Sequence, residues 1–164
     1  MKNILLRKTY TLALATLLFI SCSSNSETTS TEPPLVSGEF ANIVSVTTSG
    51  GENNYTFSVG IKSPDKGCSQ YANWWEVLSE DGTLIYRRIL GHSHVNEQPF
   101  VRTGGAVDIA KNQIVIVRAH MNTSGYGMQT FKGSIDNGFI SFTTEKGFAT
   151  AIENQEPLPS GCAF

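Results

Sequence analysis

The chain is short of charge, of cysteine and of histidine. Only 16% of its 164 residues are charged, and 12 Lys and Arg stand against 14 Asp and Glu, a net of −2. That balance cannot build a strongly basic surface, so no nucleic-acid partner is expected. No apolar run is long enough for a permanent transmembrane helix; residues 9–20 come nearest. Amphipathic helices are missing too, since no window of about eleven residues keeps an i, i+3, i+4 apolar rhythm between caps. The chain has no GxSxG elbow, phosphate-binding loop, dinucleotide fingerprint, HExxH or CxxC pair. Nucleophilic, nucleotide-dependent and zincin-type chemistry therefore find no support, and no residues are singled out as catalytic. There is also no internal repeat. What is present is a hydrophobic share of 40%, enough to place one globular domain on a chain of this length.

The N-terminus reads as an address. Lys2, Arg7 and Lys8 precede the apolar residues 9–20, and Ser21-Cys22-Ser23-Ser24 follow. A basic start, a short apolar core and a small residue before Cys resemble a bacterial lipoprotein signal with its lipobox. Phe19 departs from the Leu usual three positions before the Cys. The resemblance implies cleavage after residue 21, acylation of Cys22 and a place in the bacterial cell envelope, at the outer membrane or cell surface. Loss of residues 1–21 removes three basic residues and leaves 9 against 14 acidic ones, a mildly acidic mature protein. Residues 22–37 are rich in Ser, Thr, Glu and Pro without an apolar period. Such a stretch cannot offset its ordering entropy by burial, and it reads as a tether between lipid and domain.

From residue 38 to 164 the period is two. Tyr55, Phe57, Val59 and Ile61 alternate with Thr56, Ser58, Gly60 and Lys62, a half-buried strand. Further strands are expected over residues 41–47, 71–78, 83–90, 113–121, 128–135 and 139–144. Asp81-Gly82 makes a hairpin turn, Gly104-Gly105 a break, and Gly125 and Gly127 a second turn. Seven or eight short strands predict an all-β, two-sheet antiparallel sandwich, with a jelly roll or cupin-like barrel as the rival. The strand count and a Trp in an early strand resemble immunoglobulin and fibronectin type III modules, although the antibody Cys…Trp…Cys framework is missing.

With Cys22 acylated, Cys68 and Cys162 remain, an even number in an oxidising compartment. A bond between them would tie the tail PLPSGCAF to the loop before the first Trp strand. In the loop-entropy picture, closing roughly a hundred residues stabilises by about 4 to 5 kcal/mol.

Trp74 and Trp75 must face opposite sides of their strand. Trp75, in register with Val77, is expected in the core. Trp74 is then either covered by the tail or a loop, or left as a flat face for sugars or peptides. Tyr86 and Arg88 share strand parity and could extend such a surface toward a small-molecule, glycan or protein ligand. Arg87, Arg88, Arg102 and Arg118 lie between residues 87 and 118, with Glu76 and Glu97 as candidate partners; solvated cross-strand ion pairs are the expectation.

The three histidines, His92, His94 and His120, suggest one further chemistry. His92-x-His94 puts two imidazoles on one strand face roughly 6.5 to 7 Å apart along the backbone. His120 ends the most apolar strand. An HxH pair plus a His from a neighbouring strand is how carbonic anhydrase holds zinc, and such a site would take Zn or Cu. His92-x-His94, Glu97 and Gly104 also resemble the first cupin motif. They depart from it in the His94–Glu97 spacing, in Tyr86 where Gly is expected, and in lacking PxGxxH before His120. Two functions follow as expectations: a lipid-anchored, non-enzymatic ligand-binding or adhesion module, or a metal-binding lipoprotein using the three histidines.

Overall fold

The computed structural model describes residues 39–163. The residues read as a signal peptide (1–21) and a tether (22–37), Cys22 among them, lie outside the described residues. Among the described residues, no helix is long and apolar enough to cross a membrane.

Nine strands and one short 3-10 helix follow in order: β1 (Asn42–Gly51), β2 (Asn54–Lys62), β3 (Ala72–Ser79), β4 (Leu84–Ile89), β5 (Phe100–Val107), β6 (Val115–Met121), β7 (Gly125–Tyr126), β8 (Gln129–Ser134), β9 (Gly138–Thr143) and the helix Thr150–Asn154. They form two antiparallel sheets, β1-β2-β5 and β4-β3-β6-β8-β9, with β7 joined to β6. The all-β sandwich expected from the sequence is the fold.

Alternation builds the core. Tyr55, Phe57, Val59 and Ile61 of β2 point inward and meet Trp75 and Val77 of β3 and Val115, Val117, Ala119 and Met121 of β6. Phe100, Val107 and Ile109 close it from β5 and the segment after it. The strands β3 and β6 are buried on both faces. Their inner face meets the small sheet, and their outer face is covered by the chain after β9, as described below.

One sequence expectation needs correcting. Gly104-Gly105 does not end the strand: Gly104 pairs with Phe57 of β2, and the expected break is a register irregularity at Gly105 and Ala106, before pairing resumes at Tyr55 and Val107. The glycine is there for room. A Cβ on Gly104 would stand 2.7 Å from the Tyr86 hydroxyl and 2.9 Å from the Trp75 ring. Local propensity pointed to a turn, and the bulk of Trp75 on the facing sheet decided otherwise.

Candidate functional site

The outer face of the large sheet carries most of the molecule's buried polar chemistry. On β3, Trp74 and Glu76 point outward. In the paired register, β4 sets Arg87 opposite Glu76, while β6 sets Arg118 opposite Glu76 and His120 opposite Trp74. Strand pairing thus gathers one carboxylate and two guanidiniums from three neighbouring strands.

Glu76 is fully buried, and its two oxygens are divided between the arginines. Arg87 Nε donates to Oε2 and Arg118 Nε to Oε1, both at 2.7 Å. One carboxylate cannot satisfy ten donor hydrogens, so the guanidiniums need further acceptors. The chain after β9 supplies them. Arg118 donates to the carbonyls of Phe148 and Ala149, and Arg87 to those of Ile152, Gln155 and Pro157. This C-terminal strap contains the short helix and ends at the Cys68–Cys162 disulfide, whose Cα atoms are 5.6 Å apart at a sequence separation of 94. The expected cysteine pairing is therefore present in the structure.

Aromatic rings fill the rest of this face. Trp74 is 3% exposed, covered by the strap and its neighbours. Its indole stacks on His120 at 3.7 Å, and the Arg87 guanidinium lies 4.5 Å over it. Tyr126 stands edge-on to both rings, and the Arg118 guanidinium lies 3.4 Å from the Tyr126 ring centroid. His120 Nδ1 is 2.7 Å from Asn73 Oδ1 and Nε2 3.0 Å from Glu153 Oε1. Burial pushes the imidazole down to about 4, against the opposing pull of Glu153. It is thus neutral near pH 7 and carries a single N–H, so only one of these two oxygens can accept from it. Burial also raises the Tyr126 phenol to about 12.

Beside this cluster a cleft opens between the β6–β8 connection and the strap. It measures about 480 Å³, and its walls include Phe40, Tyr126, Met128 and Phe148, with Arg118 and Glu153 as polar groups. Its wall is mostly apolar carbon, and Met128 is exposed. The size lies in the range of small-ligand sites.

The sequence-derived site residues are distributed differently from expectation. Trp74 does not offer a free face. Tyr86 and Arg88 lie on the opposite side of the sheet from it, because their partners in register are Val77 and Trp75. Tyr86 packs on Trp75 with ring centroids 5.5 Å apart, and Arg88 is exposed, donating to the carbonyls of Thr103 and Ile89. The three residues therefore share no surface. His92 and His94 are neighbours, their ring centroids 4.5 Å apart, in the connection between β4 and β5. His94 is buried against Phe100 at 3.8 Å, and burial lowers its pKa. Its backbone N–H donates to the buried Asp65 at 2.8 Å, while neither ring nitrogen has a hydrogen-bond partner. His120 is held elsewhere, by Trp74, Asn73 and Glu153. Among the described residues, no group of three or more His, Cys, Asp or Glu could hold a metal ion, so the three-imidazole site is not assembled. The HxH spacing survived, but the loop that carries it does not lead to His120.

Of the expected ion pairs, Glu97–Arg102 is partly solvated at 2.7 Å, as expected. Glu76 has the expected partners but a different setting, at 0% exposure. The signal was a lone acid within residues 71–78, where only Asn73 is otherwise polar, between two strands that each carry Arg.

The chain is similar to a protein of Halomicrobium mukohataei described as "Putative lipoprotein", 35% identical over 121 residues. The match covers 73% of this chain and 55% of that protein, so the chain spans little more than half of its relative's length. No family model matches the sequence, and no solved structure matches it.

Proposed function

We propose that this is a lipid-anchored envelope protein whose β-sandwich is a ligand-binding module, with the ligand seated in the cleft between the β6–β8 connection and the C-terminal strap. The lipobox-like Cys22 and the lipoprotein relative support the anchor. The chain path supports an immunoglobulin-like subtype. With the first six strands read as A, B, C, C′, E and F, and β8 as G, the sheets become A-B-E and C′-C-F-G with β9 added beyond G, and a buried Trp sits on strand C. The cleft carries the binding reading. It combines about 480 Å³ of mostly apolar wall with a few fixed polar groups, and Arg118 is held rigidly by Glu76 and the strap.

Two measurements test the two parts. Cys22→Ala should abolish fatty-acid incorporation and move the protein to the soluble fraction; continued labelling rejects the anchor. For the cleft, the probe is 8-anilinonaphthalene-1-sulfonate, an aromatic anion of suitable size. One equivalent should bind saturably, Met128→Arg should remove binding, and Arg88→Ala, on the other side of the sheet, should leave it unchanged. Absence of saturable binding, or full binding by Met128→Arg, rejects the cleft as the site.

A further inference from the structure

The edge of the large sheet formed by β9 has the geometry of an open strand-pairing surface. Thr130 Oγ1 donates to the Phe142 carbonyl, and Thr144 N–H donates to the Met128 carbonyl. In an antiparallel ladder the N–H and C=O of one residue point the same way, and the direction alternates along the strand. The even-numbered residues of β9 therefore bond inward to β8, and Phe139, Ser141 and Thr143 turn their backbone groups outward. Among the described residues no strand pairs with that side.

Natural edges are usually blunted by charge, proline or a bulge. Residues 138–143, GFISFT, contain neither charge nor proline, and the β8–β9 register runs without a shift. Ile140 is 71% exposed and Phe142 lies exposed on the same face. The opposite edge of the same sheet, β4, carries Arg87 and Arg88.

We propose that β9 is a dimerisation edge that pairs antiparallel with β9 of a second copy of this chain, about a two-fold axis at Ser141. That register uses all the outward groups. Ser141 exchanges two hydrogen bonds with its own counterpart, and Phe139 exchanges two with Thr143 of the second copy on each side of the axis. It also sets Ile140 beside Phe142 of the second copy, covering the exposed isoleucine. The contact is isologous and closes at two subunits. None of the pairing residues 138–143 lines the cleft, whose wall begins just past the end of β9 at Thr144, Glu145 and Lys146.

Sedimentation of the full chain in detergent tests the proposal. The wild type should be a concentration-dependent dimer. Ser141→Lys and Ser141→Glu each place like charges face to face on the axis, and should each raise the dimer Kd at least about tenfold. An equimolar mixture of the two variants should restore the dimer, which also shows that both variants fold. A wild-type monomer at all concentrations, a dimer indifferent to either variant, an open-ended assembly, or a mixture that stays monomeric overturns the proposal.

Discussion

The two faces of the β3–β6 pair are buried almost equally and by opposite means. Trp75 is 0% and Trp74 3% exposed, although they are consecutive residues. Trp75 looks into a dry core of Val, Ile and Phe from the facing sheet. Trp74 lies among arginine, histidine and tyrosine, roofed by a segment that belongs to no sheet. The inner face is closed by apolar area, which is non-directional and tolerant of detail. The outer face is closed by charge and hydrogen bonds, which hold only while every donor has its acceptor. A strap of irregular backbone offers many unpaired carbonyls, and two buried guanidiniums offer many donors. Each satisfies the other's requirement.

The largest effects should come from breaking either face at its centre. Trp75→Ala should lower unfolding free energy by about 3–5 kcal/mol through cavity formation. Glu76→Gln should cost a similar ~3–5 kcal/mol for a different reason, because it leaves two buried cations without their counter-charge. Chemical denaturation measures both, and protease susceptibility of the strap separates them. The Glu76 variant should be cut within residues 145–160 while still folded, and the Trp75 variant should show no selective cutting there.

Next comes the tie at the end of the strap. Cys162→Ser, or reduction, should cost about 2–4 kcal/mol, read as a fall in Tm. Anilinonaphthalene sulfonate binding should weaken with it, because the strap forms one wall of the cleft. Unchanged binding after reduction would show that the arginine–carbonyl bonds suffice to hold the wall.

The effect of pH should be smaller and confined to the outer face and the β4–β5 connection. Burial holds His120 down to about 4 and lowers His94 as well. The unfolded chain then binds more protons than the folded one between the ordinary imidazole value of about 6.5 and the folded value. Stability should be full above about pH 6.5 and decline as pH falls toward 4. His120→Gln should flatten part of that decline, and a profile identical to wild type would assign it to His94 or to carboxylates. Smallest of all, Arg88→Ala removes only exposed contacts and should change stability by less than about 0.5 kcal/mol.

The sandwich was legible because period two is a local property. Tyr55-x-Phe57-x-Val59-x-Ile61 states which side of β2 is wet without reference to any partner. The gap at residues 100–107 shows the limit, since Gly104 owes its place to a Trp on another sheet. The outer face was legible only in parts. Parity put Trp74 outside, and Glu76 was a candidate partner for the arginines without a choice among the four, but burial depends on what lies above a strand. That is the strap, contributed from more than sixty residues away in sequence. The histidines failed for the same reason: spacing along a strand is local, whereas convergence of His94 with His120 would need a particular path through the β4–β5 connection.

By itself, then, the sequence determined the fold class, the inner core and the cysteine pairing. Each rests on periodicity, parity or composition, which a chain carries without folding. The tertiary structure alone decided that the sheet has two buried faces, that Arg87 and Arg118 bind backbone carbonyls rather than water, that the imidazoles stay apart, and that β9 is left with an open edge. Those depend on which distant segment comes to rest against which strand, and that is set by the packing of the whole chain.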